Sequence, residues 1–287
     1  MTQPTALAPI TLETLVRHAD VLHRLALAVD CRDSVTHQRV ATEVRIGREV
    51  PREVLSPRHD RAWPCRELIA KAAGRALIML DLRTPTKVRL RIADPRRRYV
   101  ARRFDLPLWT LSEVLDQENA GSPVPAGSRL LRPWLLPGSA AALSRGTTIV
   151  RGRVVRGTDP VRWPRITARG PGQEAVGWAH GDERGEFVLV IEDTGTLPPP
   201  APTQLSVQLF VTARIPSTPD PFDPYADLTI EPLPRSAAPP GPDDRDNDVL
   251  RGRSTPADHV ASSTVPAPIP VSVGQELVLA APIPFTT

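Results

Sequence analysis

Thirty-four prolines are spread through this chain of 287 residues, and inside a helix a proline removes a backbone donor and clashes with the preceding turn. Long helices therefore have few uninterrupted stretches in which to form, whereas short strands closed by turns are favoured. Seventeen glycines and only 4% aromatic residues point the same way. The length accommodates two compact domains of ~100 to 150 residues plus connecting segments. The pattern predicts an all-β chain.

Hydrophobic periodicity sets the expected organisation. Leu12, Leu15, Val16 and Ala19 recur at helical spacing after Thr11, which predicts a short amphipathic helix within residues 1–24. Leu25, Leu27 and Val29 then alternate at strand spacing, and Val40, Val44 and Ile46 continue the pattern. Pro51, Pro57 and Pro64 interrupt the next stretch, where one or two helical turns fit Glu67 to Ala73. Strands are expected again at Ala76–Leu82, Lys87–Ile92 and Tyr99–Leu106, with Asp94 and Pro95 turning a hairpin. Residues 25–108 thus form a first strand-rich unit.

Residues 109–146 read as a linker carrying a helix at Ser112–Asn119 and a Gly/Pro/Ser-rich stretch. A second strand-rich unit spans 147–232, with Leu205–Ile215 as its longest strand and Ala226–Glu231 as a partner for it. Residues 233–268 are rich in Pro, Ala, Ser, Gly, Asp and Arg and are predicted to be disordered, because they bury too little apolar area to offset chain entropy. Alternation returns in 269–287, which predicts a terminal strand pair around Gly274 and Gln275.

Residues 149–191 carry a recognisable series: Val150, Gly152 and Val154, then Pro160 and Ile166, then Asp182, Gly185 and Phe187. The series resembles the carboxypeptidase regulatory-like domain, a transthyretin-like β-sandwich, and departs from its commonest form at His180, where threonine is usual. The strand-turn-strand pattern of 25–46 and the stretch 76–108 are similar in a looser way. The resemblance implies two tandem Ig/transthyretin-like β-sandwich domains, with Gly152, Asp182, Gly185 and Phe187 as structural turn residues. Paired modules joined by a Leu-Arg-Pro-rich connector also resemble accessory components of contractile phage-tail-like injection particles, at the cap end of the tube.

Chemistry-bearing motifs are sparse. His18, His23, His37, His59, His180 and His259 are scattered and form no HExxH or Cys/His cluster, and Cys31 and Cys65 lack CxxC spacing. His180 and Asp182 are close enough in sequence for a local hydrogen bond. With no GxSxG elbow and no phosphate loop, the expectation is a non-enzymatic protein without cofactor or metal. The regulatory module that the chain resembles carries no zinc ligands, so the resemblance implies no peptidase activity.

Thirty-six basic against 32 acidic residues leave a net charge of only +4, which argues against nucleic acid as the partner. Only Lys71 and Lys87 are lysines. Genome composition is the simpler explanation of the arginine bias, although guanidinium groups also suit protein interfaces. Arg96, Arg98, Arg102, Trp109 and Trp134 are candidate interface residues for other protein subunits of a larger assembly. No signal peptide or membrane-spanning stretch is legible, so a cytoplasmic location without membrane insertion is expected. A carbohydrate- or ligand-binding β-sandwich module is the alternative, and an accessory protein of an enzyme complex the third reading.

Overall fold

The computed structural model describes residues 25–55, 60–80, 85–121, 124–192, 203–215, 220–234 and 247–287. The helix expected in residues 1–24 lies outside them. The chain is all-β, with strands arranged in several sheets and two short α-helices among the described residues. None of these helices is long and apolar enough to cross a membrane.

A first hydrophobic cluster lies between a five-stranded and a four-stranded sheet. The five-stranded sheet runs in the order Ile230–Pro232, Arg102–Pro107, Lys87–Ala93, Arg45–Glu49 and Cys65–Glu67. The other runs Ile69–Ala72, Arg75–Met79, Leu25–Asp30 and Leu130–Leu131. Because side chains alternate along a strand, Val88, Leu90 and Ile92 face Leu27 and Val29 across this core, together with Phe104 and Leu106.

A second cluster forms in the same way. One sheet is built on Ile149–Arg156, flanked antiparallel by Glu186–Val190 and Asp159–Pro160 and parallel by Glu276–Val278 and Ile283–Pro284. The facing sheet orders Ala175–His180, Arg165–Arg169 and Gln204–Arg214, the last pairing with His259–Ala261 and Ile269–Ser272. Val207, Leu209, Val211 and Ala213 alternate inward from the long strand against Val150, Val154, Phe187 and Leu189.

Several local expectations are corrected. Glu67 to Ala73 is not helical: Ile69–Ala72 is a strand, because pairing of Ile69 with Leu77 satisfies the backbone and overrides local propensity. The strand expected from Tyr99 begins at Arg102, because Tyr99 and Val100 pair with Pro137 and Leu136 instead. Residues 109–146 are not a free linker, since Leu131 and Leu135 enter the first core and α1 (Leu111–Asn119) packs Val114 beside Leu80.

Ile230–Pro232 pairs not with the long strand of the second unit but in parallel with Arg102–Pro107 of the first. Nor do the terminal strands pair with each other across Gly274. Ile269–Ser272 joins one sheet of the second core and Glu276–Val278 the other. Of the disorder predicted for 233–268, the part at 235–246 lies outside the described residues, and 247–268 is ordered. There α2 (Asp248–Arg251) is capped by Asn247, whose side-chain oxygen accepts from Leu250 N at 3.0 Å, and Leu250 plugs the first core. One apolar anchor and a cap order the chain where composition alone forecast none.

Candidate functional site

The two clusters meet along a seam of paired charges. Arg102, Phe104 and Leu106 share one face of their strand, so the period of two carries a guanidinium onto the apolar side at the strand's end. Parallel pairing sets Glu231 opposite Phe104, on that same face. Arg102 is buried, with its guanidinium 4.6 Å from the Phe104 ring centre. It donates from Nε and Nη2 to the two Glu231 oxygens at 3.0 and 2.6 Å, and from Nη1 to the carbonyls of Trp134 at 2.7 Å and Leu250 at 2.6 Å. Nη2 also donates to the carbonyl of Val249.

Glu231 receives a second cation from the other core, Arg165, at 3.4 Å. Burial alone would push the Glu231 carboxyl up, but Arg102 and Arg165 together hold it below its ordinary value. Burial lowers Arg165 to about 10, Glu231 opposes that fall and Arg102 adds to it. Arg165 stands directly opposite His180 across its strand pair and contacts Nδ1 of that ring. The His180 Nε2 lies 2.8 Å from the carbonyl of Gly252. A neutral ring that donates from Nε2 and accepts at Nδ1 satisfies both contacts. Burial first, then Arg165 and Arg102, drives the His180 pKa well below 6.5 and so keeps this neutral form.

A second layer of the seam is aromatic. Tyr225 lies between Trp63 of the first unit and Trp163 of the second, at 6.1 and 5.9 Å between ring centres. Beside it the buried Arg91 donates to Asp223 and Glu49, each at 2.8 Å, and Glu49 also accepts from Arg103. Trp163 donates from Nε1 to Asp227 at 2.9 Å, and Arg162 donates to the same carboxylate oxygen at 2.8 Å.

At one end of the seam a cleft of about 340 Å³ opens between the units. Its lining includes His37, Trp134, Trp178, Glu192, Arg251 and Arg253. Each indole is covered by a guanidinium, Arg251 at 4.4 Å from the Trp134 ring centre and Arg253 at 4.1 Å from that of Trp178. His37 tilts against Trp134 with 4.9 Å between centres. Arg253 donates to Glu192 at 2.6 Å. Gly252 takes φ +74° between the two arginines and ends α2, which sends them to neighbouring indoles.

The residues singled out by sequence are dispersed. Arg96 is exposed, and Arg98 donates from Nε to Asp94 at 2.8 Å. Arg102 is corrected from surface candidate to buried seam residue, because alternation with Phe104 turns it inward. Trp109 is half-buried against the small cluster of Leu80 and Val114, and only Trp134 reaches the cleft, itself buried. Asp182 accepts from the amides of Arg184 and Glu186 at 2.9 and 3.0 Å, Gly185 takes φ +75°, and Phe187 fills the second core. A Cβ on Gly152 would meet the Phe187 ring at 2.8 Å.

His180 turns away from the hydrogen bond expected with Asp182, because its strand position faces Arg165. Glu231, Arg165, Arg251 and Arg253 escaped sequence reading altogether. For Arg102 the signal existed in its alternation with Phe104 and Leu106. Cys31 and Cys65 are free and buried. No protein-family model, curated protein or solved structure matches this chain.

Proposed function

We propose that the chain is a non-catalytic interaction protein whose two β cores dock as one body onto a larger protein assembly. The observation that carries this reading is the clamp of Arg102 and Arg165 on Glu231, which ties strands of both cores to one buried carboxylate. Paired buried charges tolerate little displacement, since separation leaves each charge unsatisfied in a poorly hydrated place. A surface held this way suits recognition by complementarity. Ile69, 51% exposed, and Val278, 65% exposed, lie on strands at sheet edges, where apolar side chains and open backbone favour contact with another chain.

The assembly favoured by the layout of paired β units is a contractile phage-tail-like injection particle. Affinity purification of the full chain from its native host, with mass spectrometry of stoichiometric partners, tests the reading. Recovery of tube or sheath proteins supports it, and a solitary monomer defeats it.

The ring-bearing cleft favours a second reading, a ligand-binding β-sandwich module. Its aromatic faces weigh against a neutral sugar. Trp134 is covered by Arg251 and His37, and Trp178 carries Arg253, so these faces offer little platform for a pyranose ring.

A further inference from the structure

Three side chains of the second core reach segments that are seated on the first. Arg165 pairs with Glu231, His180 meets the carbonyl of Gly252 at 2.8 Å, and His259 meets the hydroxyl of Thr229 at 2.9 Å. Two of these three are histidines, so the layer is held by groups that gain charge in mild acid. Arg102 and Arg165 already share the buried carboxylate of Glu231. Arg165, Arg102 and His259 act on the His180 ring, and Arg165, Asp258 and Arg214 on that of His259. Asp258 is itself engaged by Arg214 at 2.7 Å, and beside Gly252 the guanidinium of Arg253 is paired with Glu192. A proton on Nδ1 of His180 turns the acceptor of Arg165 into a donor. Charging both rings sets two more cations around Glu231 in a poorly hydrated place.

We propose that this charged layer is an acid-operated latch, in which protonation of His180 and His259 parts the second core from Gly252, Thr229 and Glu231 while both cores and the aromatic layer persist. No partner is needed for such a device, so it goes beyond the docking reading. Repulsion is relieved at the seam and not within the sheet. Arg165 and His180 sit on neighbouring strands joined by backbone hydrogen bonds, whereas side-chain contacts alone tie them to Glu231 and Gly252. Trp63, Tyr225 and Trp163 build the hinge without a histidine. Burial opposes it, but hydrogen bonds from Arg162 and Trp163 hold the nearby Asp227 carboxyl below its ordinary range, so this layer keeps its charge as the latch opens. The closed form favours neutral rings, and each ring regains its ordinary basicity once open, so opening gains as pH falls below 6.5. With burial lowering His259 to about 4 in the closed form, the open population should grow about 20-fold between about pH 7 and 5.

Spin-label distances measured by pulsed electron paramagnetic resonance test the latch on the full chain. Labels are placed at Gln38→Cys and Ala175→Cys, exposed positions on the two units. Burial pushes the native thiols of Cys31 and Cys65 up to about 12, which keeps the label on the introduced sites. A second, longer distance is expected to grow about 20-fold or more in population between about pH 7 and 5, while far-UV circular dichroism stays unchanged. His259→Asn keeps a polar group without a titrating ring and should reduce that growth about ten-fold or more. A single unchanged distance at pH 5, growth undiminished in His259→Asn, or loss of the circular dichroism signal together with the longer distance overturns the proposal. The wild type alone decides the matter if the variant does not fold: growth confined below about pH 4, where carboxylates titrate, also overturns it.

Discussion

Nη2 of Arg102 lies 2.6 Å from Oε2 of Glu231, with both side chains almost wholly out of solvent and 129 residues apart in sequence. The pair joins the end of one strand in the first sheet to the segment that returns to it from the second core, and Arg165 completes the bridge.

Replacing Glu231 should therefore be severe. Glu231→Gln leaves two buried guanidiniums without their carboxylate, and removing one partner of a buried ion pair costs about 3–5 kcal/mol. A lower urea midpoint is expected. An unchanged midpoint would mean that the clamp does not hold the folded state.

Acid should destabilise the chain before its carboxylates titrate. Burial, with Arg165 adding to it, lowers the His259 pKa from 6.5 to about 4, and His180 shifts in the same direction. Above the unfolded value both states are neutral and the linked stability is fully present. As pH falls below 6.5 the unfolded chain takes the proton first, so stability is lost progressively until about pH 4. Between about pH 7 and 5 the loss from His259 should reach ~2 kcal/mol, and His259→Asn should flatten the slope of Tm against pH.

Two glycines with positive φ should respond differently to alanine. Gly185 at φ +75° would place a Cβ 2.5 Å from the carbonyl oxygen of Val154, whereas Gly157 at φ +59° has open space around it. Gly157→Ala should cost about 1 kcal/mol from backbone strain alone, and Gly185→Ala clearly more. Thermal unfolding of both variants reads the difference directly.

The last residues should be part of the fold and not an appendage. Phe285 and Ile283 are buried in the second core, and Ile283–Pro284 pairs with Val154 and Val155. Phe285→Ala should cost about 3–5 kcal/mol, the usual range for a buried phenylalanine. Denaturant unfolding in which Phe285→Ala matches the wild type would show that the terminal strand contributes nothing.

Local pattern in the sequence determined the strands themselves. Val88, Leu90 and Ile92 alternate with charged neighbours, and Val207, Leu209, Val211 and Ala213 alternate through the longest strand, so an inward face was legible without a fold. The turn of Asp182 and Gly185 was legible too, since a side-chain acceptor and a residue free to adopt positive φ act within a few positions.

Tertiary structure alone decided which strands meet. Ile230–Pro232 lies beside Arg102–Pro107, and the C-terminal strands divide between two sheets, because pairing partners are chosen by long-range burial that no local period encodes. The same contacts decided the sites. Arginine and glutamate read as solvated charges in a sequence, and only the approach of the two cores removes water from Arg102, Arg165 and Glu231 and brings Arg251 and Arg253 onto their indoles. Burial and partner are properties of the assembled fold, and they convert ordinary surface chemistry into a clamp and a cleft.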